Sequence, residues 1–154
     1  MVMDLFEALL QEFSKATNIP NLKPDANSSC LLVLPNGTKI QLDIDPGNNF
    51  LLMGAELGFI PGGRYRENVF KEALRANNLP APRNGDFAYS KKKDLLILFT
   101  KISLKDLNGE KIASVFAPFS EKATHWKEAI SKGEVPSLSG AFSTHKSGTG
   151  MFGL

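Results

Sequence analysis

Apolar side chains over residues 3–17 fall at Leu5, Phe6, Leu9, Leu10 and Phe13. That spacing of i, i+1, i+4, i+5, i+8 is one stripe of an α-helix, and Asn18-Ile19-Pro20 ends it. The period then shortens. Cys30 to Leu34 is a continuous apolar run leading into Pro35-Asn36-Gly37-Thr38, where Asn-Gly is expected to supply the positive φ angles of a tight hairpin. From Lys39 to Asp45 the chain alternates, with Ile40, Leu42 and Ile44 on one face and Gln41, Asp43 and Asp45 on the other. A second turn at Pro46-Gly47-Asn48-Asn49 precedes Phe50-Leu51-Leu52-Met53. These segments predict an antiparallel three-strand meander with the first helix available to cover one face.

The helical period returns from about Tyr65 to Asn77, with Tyr65, Val69, Phe70, Ala73 and Leu74 on the apolar side. Asn78-Leu79-Pro80-Ala81-Pro82-Arg83-Asn84-Gly85 cannot continue it. Strands at Phe87 to Ser90 and Leu95 to Ile102 follow, joined by a Lys91-Lys92-Lys93 tip that reads as a solvated hairpin end. A long helix is expected from about Gly109 to Lys132, on Ile112, Val115, Phe116, Phe119, Ala123, Trp126 and Ile130. Pro118 lies inside it and is expected to bend or split it, and Gly133 is placed to close it. The fold class is therefore α+β: an antiparallel twisted sheet of about five strands with three helices. Residues 1–136 form a single domain, and the Gly-, Ser- and Thr-rich residues 137–154 read as a flexible tail.

One feature of the strands bears on function. The middle strand of the meander alternates, whereas the first and third are apolar at successive positions and present apolar groups on both faces. Such a sheet needs a second cover, from the domain's own helices, a partner subunit or a bound polypeptide.

Composition narrows the chemistry. At 154 residues and 42% apolar content the chain can bury one core, and a net charge of +2 is far below the concentrated basic face of a nucleic-acid binder. The single cysteine, Cys30, opens an apolar run and reads as a small buried side chain rather than a nucleophile. Neither His125 nor His145 has a metal-ligand partner four residues on, and no Cys–His set exists, so no zinc site or other cofactor is expected. Gly62-Gly63-Arg64 matches neither phosphate-loop pattern. Asp43 and Asp45 share a strand face as solvated acids rather than a catalytic pair. The N-terminal MVMDLFEALLQEF has acids within its apolar stretch and no basic leader, and no apolar run approaches the roughly 20 residues of a membrane span. The expectation is a non-enzymatic cytoplasmic protein.

The joint order of Leu9-Leu10-x-x-Phe13, the Asn18-Ile19-Pro20 break, Cys30 through Asp45, Leu51-Leu52-Met53-Gly54-Ala55-x-Leu57-Gly58, Phe70-Lys71-Glu72-Ala73-Leu74-x-Ala76-Asn77 and Phe119-x-x-x-Ala123-x-x-Trp126 resembles the class I type III secretion chaperones, the Tir-chaperone (CesT/SycE-like) family. The resemblance covers about residues 5–132. Asn108-Gly109-Glu110-Lys111 and Ser131-Lys132-Gly133-Glu134 look nearest to chlamydial members. The resemblance implies a bacterial chaperone that holds the N-terminal segment of a secreted effector or gatekeeper protein in extended form, often by adding a strand to the sheet edge. It also implies a homodimer, or a heterodimer with a second class I chaperone, joined through the second helix and fourth strand, with no nucleotide, no nucleic acid and no membrane insertion. By position, the cargo-groove candidates are Leu5, Leu9, Phe13, Leu32, Leu34, Ile40, Leu42 and Leu52, and the dimer candidates are Val69, Phe70, Ala73, Leu74, Phe87 and Tyr89. The family is commonly acidic and this chain is mildly basic, so cargo binding through negative charge is not implied. A reading from another class is a small regulatory nucleic-acid binder, drawn from Arg64, Arg66, Lys71 and Arg75 near the second helix.

Overall fold

Burial alternates along the strands, and this sets how the sheet is used. The computed structural model describes residues 2–137 apart from 46 and 48, with side chains from Leu5 onward. Its helices are α1 (Val2–Thr17), α2 (Arg64–Asn77) and α3 (Gly109–Ser131), and its strands are β1 (Ser29–Val33), β2 (Lys39–Asp45), β3 (Phe50–Gly58), β4 (Asp86–Ser90) and β5 (Leu95–Ser103). The strands form one antiparallel sheet in the order β1-β2-β3-β5-β4. Cys30 and Leu32, Ile40 and Leu42, Leu51, Met53, Ala55 and Leu57, and Leu96, Leu98 and Ile102 are all buried. The register runs Leu32, Ile40, Ala55, Leu98 and Phe87 across all five strands as a single row. With a side-chain period of two, a whole face is thereby committed to the core.

Two helices cover that face. Phe6, Leu9, Leu10 and Phe13 of α1 and Ile112, Phe116, Phe119, Ala123 and Trp126 of α3 are buried against it. Phe13 meets Phe116 edge-on with ring centres 5.2 Å apart, and Trp126 lies over Phe87 at 4.0 Å. The start of α3 is held from two sides: Asn108 Oδ1 accepts from the Lys111 N–H at 2.8 Å, and Glu12 of α1 accepts from the Gly109 N–H at 2.9 Å. A side-chain cap and a carboxylate thus satisfy donors that a helix start leaves open.

The third helix has another task. α2 lies along the outer edge of β4, where Asn77 bridges the strand's backbone, its Nδ2 donating to the Phe87 carbonyl at 2.9 Å and its Oδ1 accepting from the Phe87 N–H at 2.7 Å. That edge is covered, and the edge at β1 has no strand outside it among the described residues.

Three local expectations change. The β1–β2 turn takes positive φ only at Gly37, at 90°, within a three-residue loop in which the Leu34 N–H donates to the Thr38 carbonyl. Asn36 instead uses its side chain, accepting from the Thr38 N–H at 3.0 Å. β3 runs on to Gly58, because Ala55 and Leu57 continue its buried alternation opposite β5. α3 is not split at Pro118 but spans it, closing at Gly133 with φ +73°.

Candidate interaction surfaces

Among the described residues, the sheet's second face carries no helix. Its rows follow from the register: Leu31, Gln41, Gly54 and Phe99 in one, and Val33 with Lys39, then Glu56 with Ile97 and Ala88, in the next. Leu31 is 54% and Val33 61% exposed, with Phe99 at 36% and Leu52 and Ile97 half-buried beside them. Gly54 leaves the centre low, so the strands enclose a shallow concavity of about 490 Å³. Its polar rim is internally paired. Gln41 Nε2 donates to the Asp43 carboxylate at 3.1 and 3.2 Å, Ser29 Oγ donates to the same carboxylate, and Lys93 reaches Glu56 at 2.9 Å. Among the described residues, the two-sided apolar pattern of the first strand therefore leaves Leu31 and Val33 exposed beside a sheet edge with no strand outside it, where a further strand can add.

A second apolar surface lies on α2 and its neighbours. Phe59 is 55% and Leu74 68% exposed, with exposed Tyr89 and half-buried Phe70 between them. Arg66 gathers this patch. Its guanidinium lies 5.6, 5.8 and 5.5 Å from the ring centres of Phe59, Phe70 and Tyr89, and it is fixed by the Ile60 carbonyl at 2.6 and 2.8 Å and by Asp94 at 3.2 Å. Phe70 and Tyr89 rings stand 5.4 Å apart. Cation–π contacts of this kind hold the rings in place while leaving their outer edges to solvent.

The cargo-groove candidates divide by depth. Leu9, Phe13, Leu32, Ile40 and Leu42 are enclosed by the chain's own core, whereas Leu5 is exposed and Leu34 and Leu52 are half-buried. Of these eight only Leu52 stands on the open sheet face. The dimer candidates divide likewise: Val69, Ala73 and Phe87 are buried, and Phe70, Leu74 and Tyr89 reach the α2 surface. Leu31, Val33, Ile97, Phe99 and Phe59, which sequence periodicity did not single out, supply much of the exposed apolar area. The signal for the first two was present in the unbroken run from Cys30, since alternate members of a one-sided strand should have been polar.

Among the described residues no group of three or more His, Cys, Asp or Glu side chains converges as a metal site requires. Burial pushes the Cys30 thiol up, with hydrogen bonding from the Lys23 backbone opposing and Asp25 reinforcing, so the thiol is held in its neutral form. The basic residues around α2 are partly spent on ion pairs, Arg66 with Asp94 and Arg75 with Glu72 at 2.8 Å. No helix among the described residues is long and apolar enough to cross a membrane.

A family model described as the Tir chaperone protein (CesT) family matches residues 8–127. No curated protein matches the chain. Among solved structures, a chain of the HopA1–SchA chaperone–effector complex superposes with a TM-score of 0.67 at 19% identity, covering 84% of this chain and 98% of that one. A chain of the structure of the Yersinia pestis type III secretion chaperone SycH with a stable fragment of YscM2 gives 0.58 at 19% identity, over 77% and 97%. One from the heterodimeric ExoU–SpcU complex of the Pseudomonas aeruginosa type III secretion system gives 0.59 at 14%, over 80% and 98%. At these identities the likeness is one of fold.

Proposed function

The chain belongs to the Tir chaperone protein (CesT) family, and on that premise we propose that it is a type III secretion chaperone that binds the N-terminal segment of an effector or gatekeeper protein and keeps it extended for secretion. The observation that carries this reading is the open sheet face, on which exposed Leu31 and Val33 line the open edge of β1 and Phe99 lies in the same row as Leu31. An extended segment added at that edge would satisfy its own backbone through ladder hydrogen bonds and place alternate side chains over the row. The action is binding and release in the bacterial cytoplasm, without catalysis. Leu31, Val33 and Phe99 join Leu5, Leu34 and Leu52 as the cargo contacts we favour, and the buried Leu9, Phe13, Leu32, Ile40 and Leu42 support them from behind. The surface of Phe59, Phe70, Leu74 and Tyr89 serves a second chaperone subunit, a copy of this chain in the simplest case.

Capture from secreting cells tests the proposal. Tagged chaperone should retain one or a few secreted proteins, and fragments of each should map the contact to its N-terminal segment. Retention that needs the cargo's folded C-terminal part instead would sink it. Light scattering on the isolated chain separates a homodimer, at twice the 16.8 kDa chain mass, from a subunit that pairs only with a different chaperone.

A further inference from the structure

We infer that, when no cargo is bound, the open edge of β1 pairs with β1 of a second copy of this chain, antiparallel about Leu32. The pairing follows from which backbone groups the edge leaves free, how those groups match themselves across a two-fold axis, and where the chain leaves the strand at each end.

Backbone direction alternates along β1. The Leu34 N–H donates inward to the Thr38 carbonyl at 2.8 Å, so Leu32 and Cys30 also turn their backbone groups toward β2, and Ser29, Leu31 and Val33 turn theirs outward. Ser29 fits this phase and is already held. Its N–H donates to Asp25 Oδ1 at 3.0 Å, and its carbonyl accepts from the Asp25 N–H at 2.7 Å. The N–H and C=O groups of Leu31 and Val33 are left facing outward, where no strand lies among the described residues.

Two copies of this edge satisfy one another. Pairing about Leu32 sets Leu31 opposite Val33 of the second copy and Val33 opposite its Leu31, both as hydrogen-bonded pairs, so every one of these groups enters the ladder. Neighbouring registers fail. A ladder centred on Leu31 sets Val33 against Ser29, which Asp25 holds, and one centred on Val33 sets Leu31 against Pro35, which has no N–H.

The side chains agree with this register. On the open face Leu31, 54% exposed, meets the 61% exposed Val33 of the other copy, twice over, so these apolar groups cover each other. Each such row has Gln41 at one end and Lys39 at the other, so no like charges face across the join. β1 itself, Ser-Cys-Leu-Leu-Val, carries none of the charges or prolines with which edge strands block pairing. The ends fit as well. Leu34 would face Cys30 of the other copy, and the chain then turns away at Pro35, clear of the place beside Ser29 that Asp25 fills.

The contact spans five residues a side, Cys30 to Leu34, against the roughly 20–30 a side of a standard interface. Its dissociation constant is therefore weak, about 0.1–1 mM. At a chain concentration equal to that constant half the edges are paired, and apparent cargo affinity falls about twofold. This effect on cargo rests on the chaperone reading; the pairing itself does not.

Sedimentation of the full chain from micromolar to millimolar concentration tests the pairing. The mass should rise above its low-concentration value, and Leu31→Lys with Val33→Lys should abolish the rise while leaving the low-concentration mass as it was. A flat mass for the wild type overturns the proposal, and so does a rise that survives both lysines. Oxidative cross-linking reads the register, since Cys30 is buried and does not compete. Leu31→Cys and Val33→Cys chains should cross-link to one another when mixed, because paired Cα atoms lie about 5.5 Å apart, and far less when either is alone. Self-cross-linking of Leu31→Cys that matches the mixture overturns the pairing about Leu32. With the cargo segment identified by capture, an excess of it should return the mass to its low-concentration value, and a bound segment that leaves the rise in place overturns the competition. Pairing as expected in a chain that captures no secreted protein would uphold the edge contact and overturn the chaperone reading.

Discussion

At Gly109 α1 and α3 approach so closely that a Cβ would stand 2.3 Å from the Glu12 carbonyl carbon and 2.5 Å from the Phe13 nitrogen. Both are backbone, so no side-chain rotation relieves the clash. Gly109→Ala must push the helices apart, loosening the Glu12 cap and the Phe13–Phe116 contact together. Overpacking of this kind costs about 1–3 kcal/mol, and thermal melts should show a fall of about 2–4 °C for each kcal/mol in a domain of this size. An unchanged melting temperature would contradict the close approach. Lys122 makes a second residue-scale case. Its ammonium donates to the Arg83 and Gly85 carbonyls at 2.7 and 3.0 Å and lies 4.9 Å from the Phe87 ring centre. Burial holds its pKa below the ordinary lysine value, with Asp86 opposing and Arg83 reinforcing. The unfolded chain therefore holds this proton more tightly than the folded one, and stability from this group rises as pH climbs through the lowered value toward 10.5. Denaturant melts of the wild type and Lys122→Met across that window should show the difference moving in favour of the wild type, and the opposite trend would reject the sign. Neither contact was legible in the sequence. Helical spacing groups Leu5 with Leu9 and Phe13, but only the packing shows that Leu5 lies at the rim and Gly109 opposite Glu12.

Whole elements were more legible, because each is set by a local period. The helices and strands fall within a few residues of the positions that period predicts, apart from the continuation of β3 to Gly58. What the period leaves open is depth. Val69, Phe70, Ala73 and Leu74 share one helical stripe, yet Val69 and Ala73 are buried and Leu74 is 68% exposed, since a stripe roughly 100° wide exceeds the width of contact with one strand. That division gives α2 a clean test. Leu74→Asp should leave the melting temperature nearly unchanged, as surface substitutions usually stay within about 0.5 kcal/mol. It should also reduce a dimer to monomer in light scattering. A dimer that survives both Leu74→Asp and Phe59→Asp excludes this surface. β1 is tested in the same way. Replacing Leu31 and Val33 together by lysine touches no core group, so the fold should persist. Losing about 1.5–3 kcal/mol for each fully buried apolar side chain predicts a cargo affinity at least about tenfold weaker. Unchanged capture of cargo would reject the open face as its site.

At the scale of the molecule, the local pattern foretold the β1-β2-β3 meander and the β4-β5 hairpin but not how the two join. β3 pairs with β5 rather than with β4, although α2 and β4 both intervene. A local pattern records which way each side chain faces but not its partner across the sheet. The same limit hid which face would stay bare, and so the division of the chain into a folded unit and an appended segment needs a test of its own. We expect the unit to close at Pro136, which is buried, behind Gly133 and the Tyr65–Glu134 hydrogen bond. With the fold closed at Pro136, a chain ended after Ser137 should melt within a few degrees of the full chain. A chain ended after Ser131 is the contrast. It loses the Glu134 N–H to Ala129 carbonyl bond at 2.8 Å, the Tyr65 hydrogen bond and the buried Pro136, so its melting temperature should fall well below both. A fall of many degrees on removing residues 138–154 alone would make that segment part of the core, while equal melting of all three chains would place the end of the fold within α3.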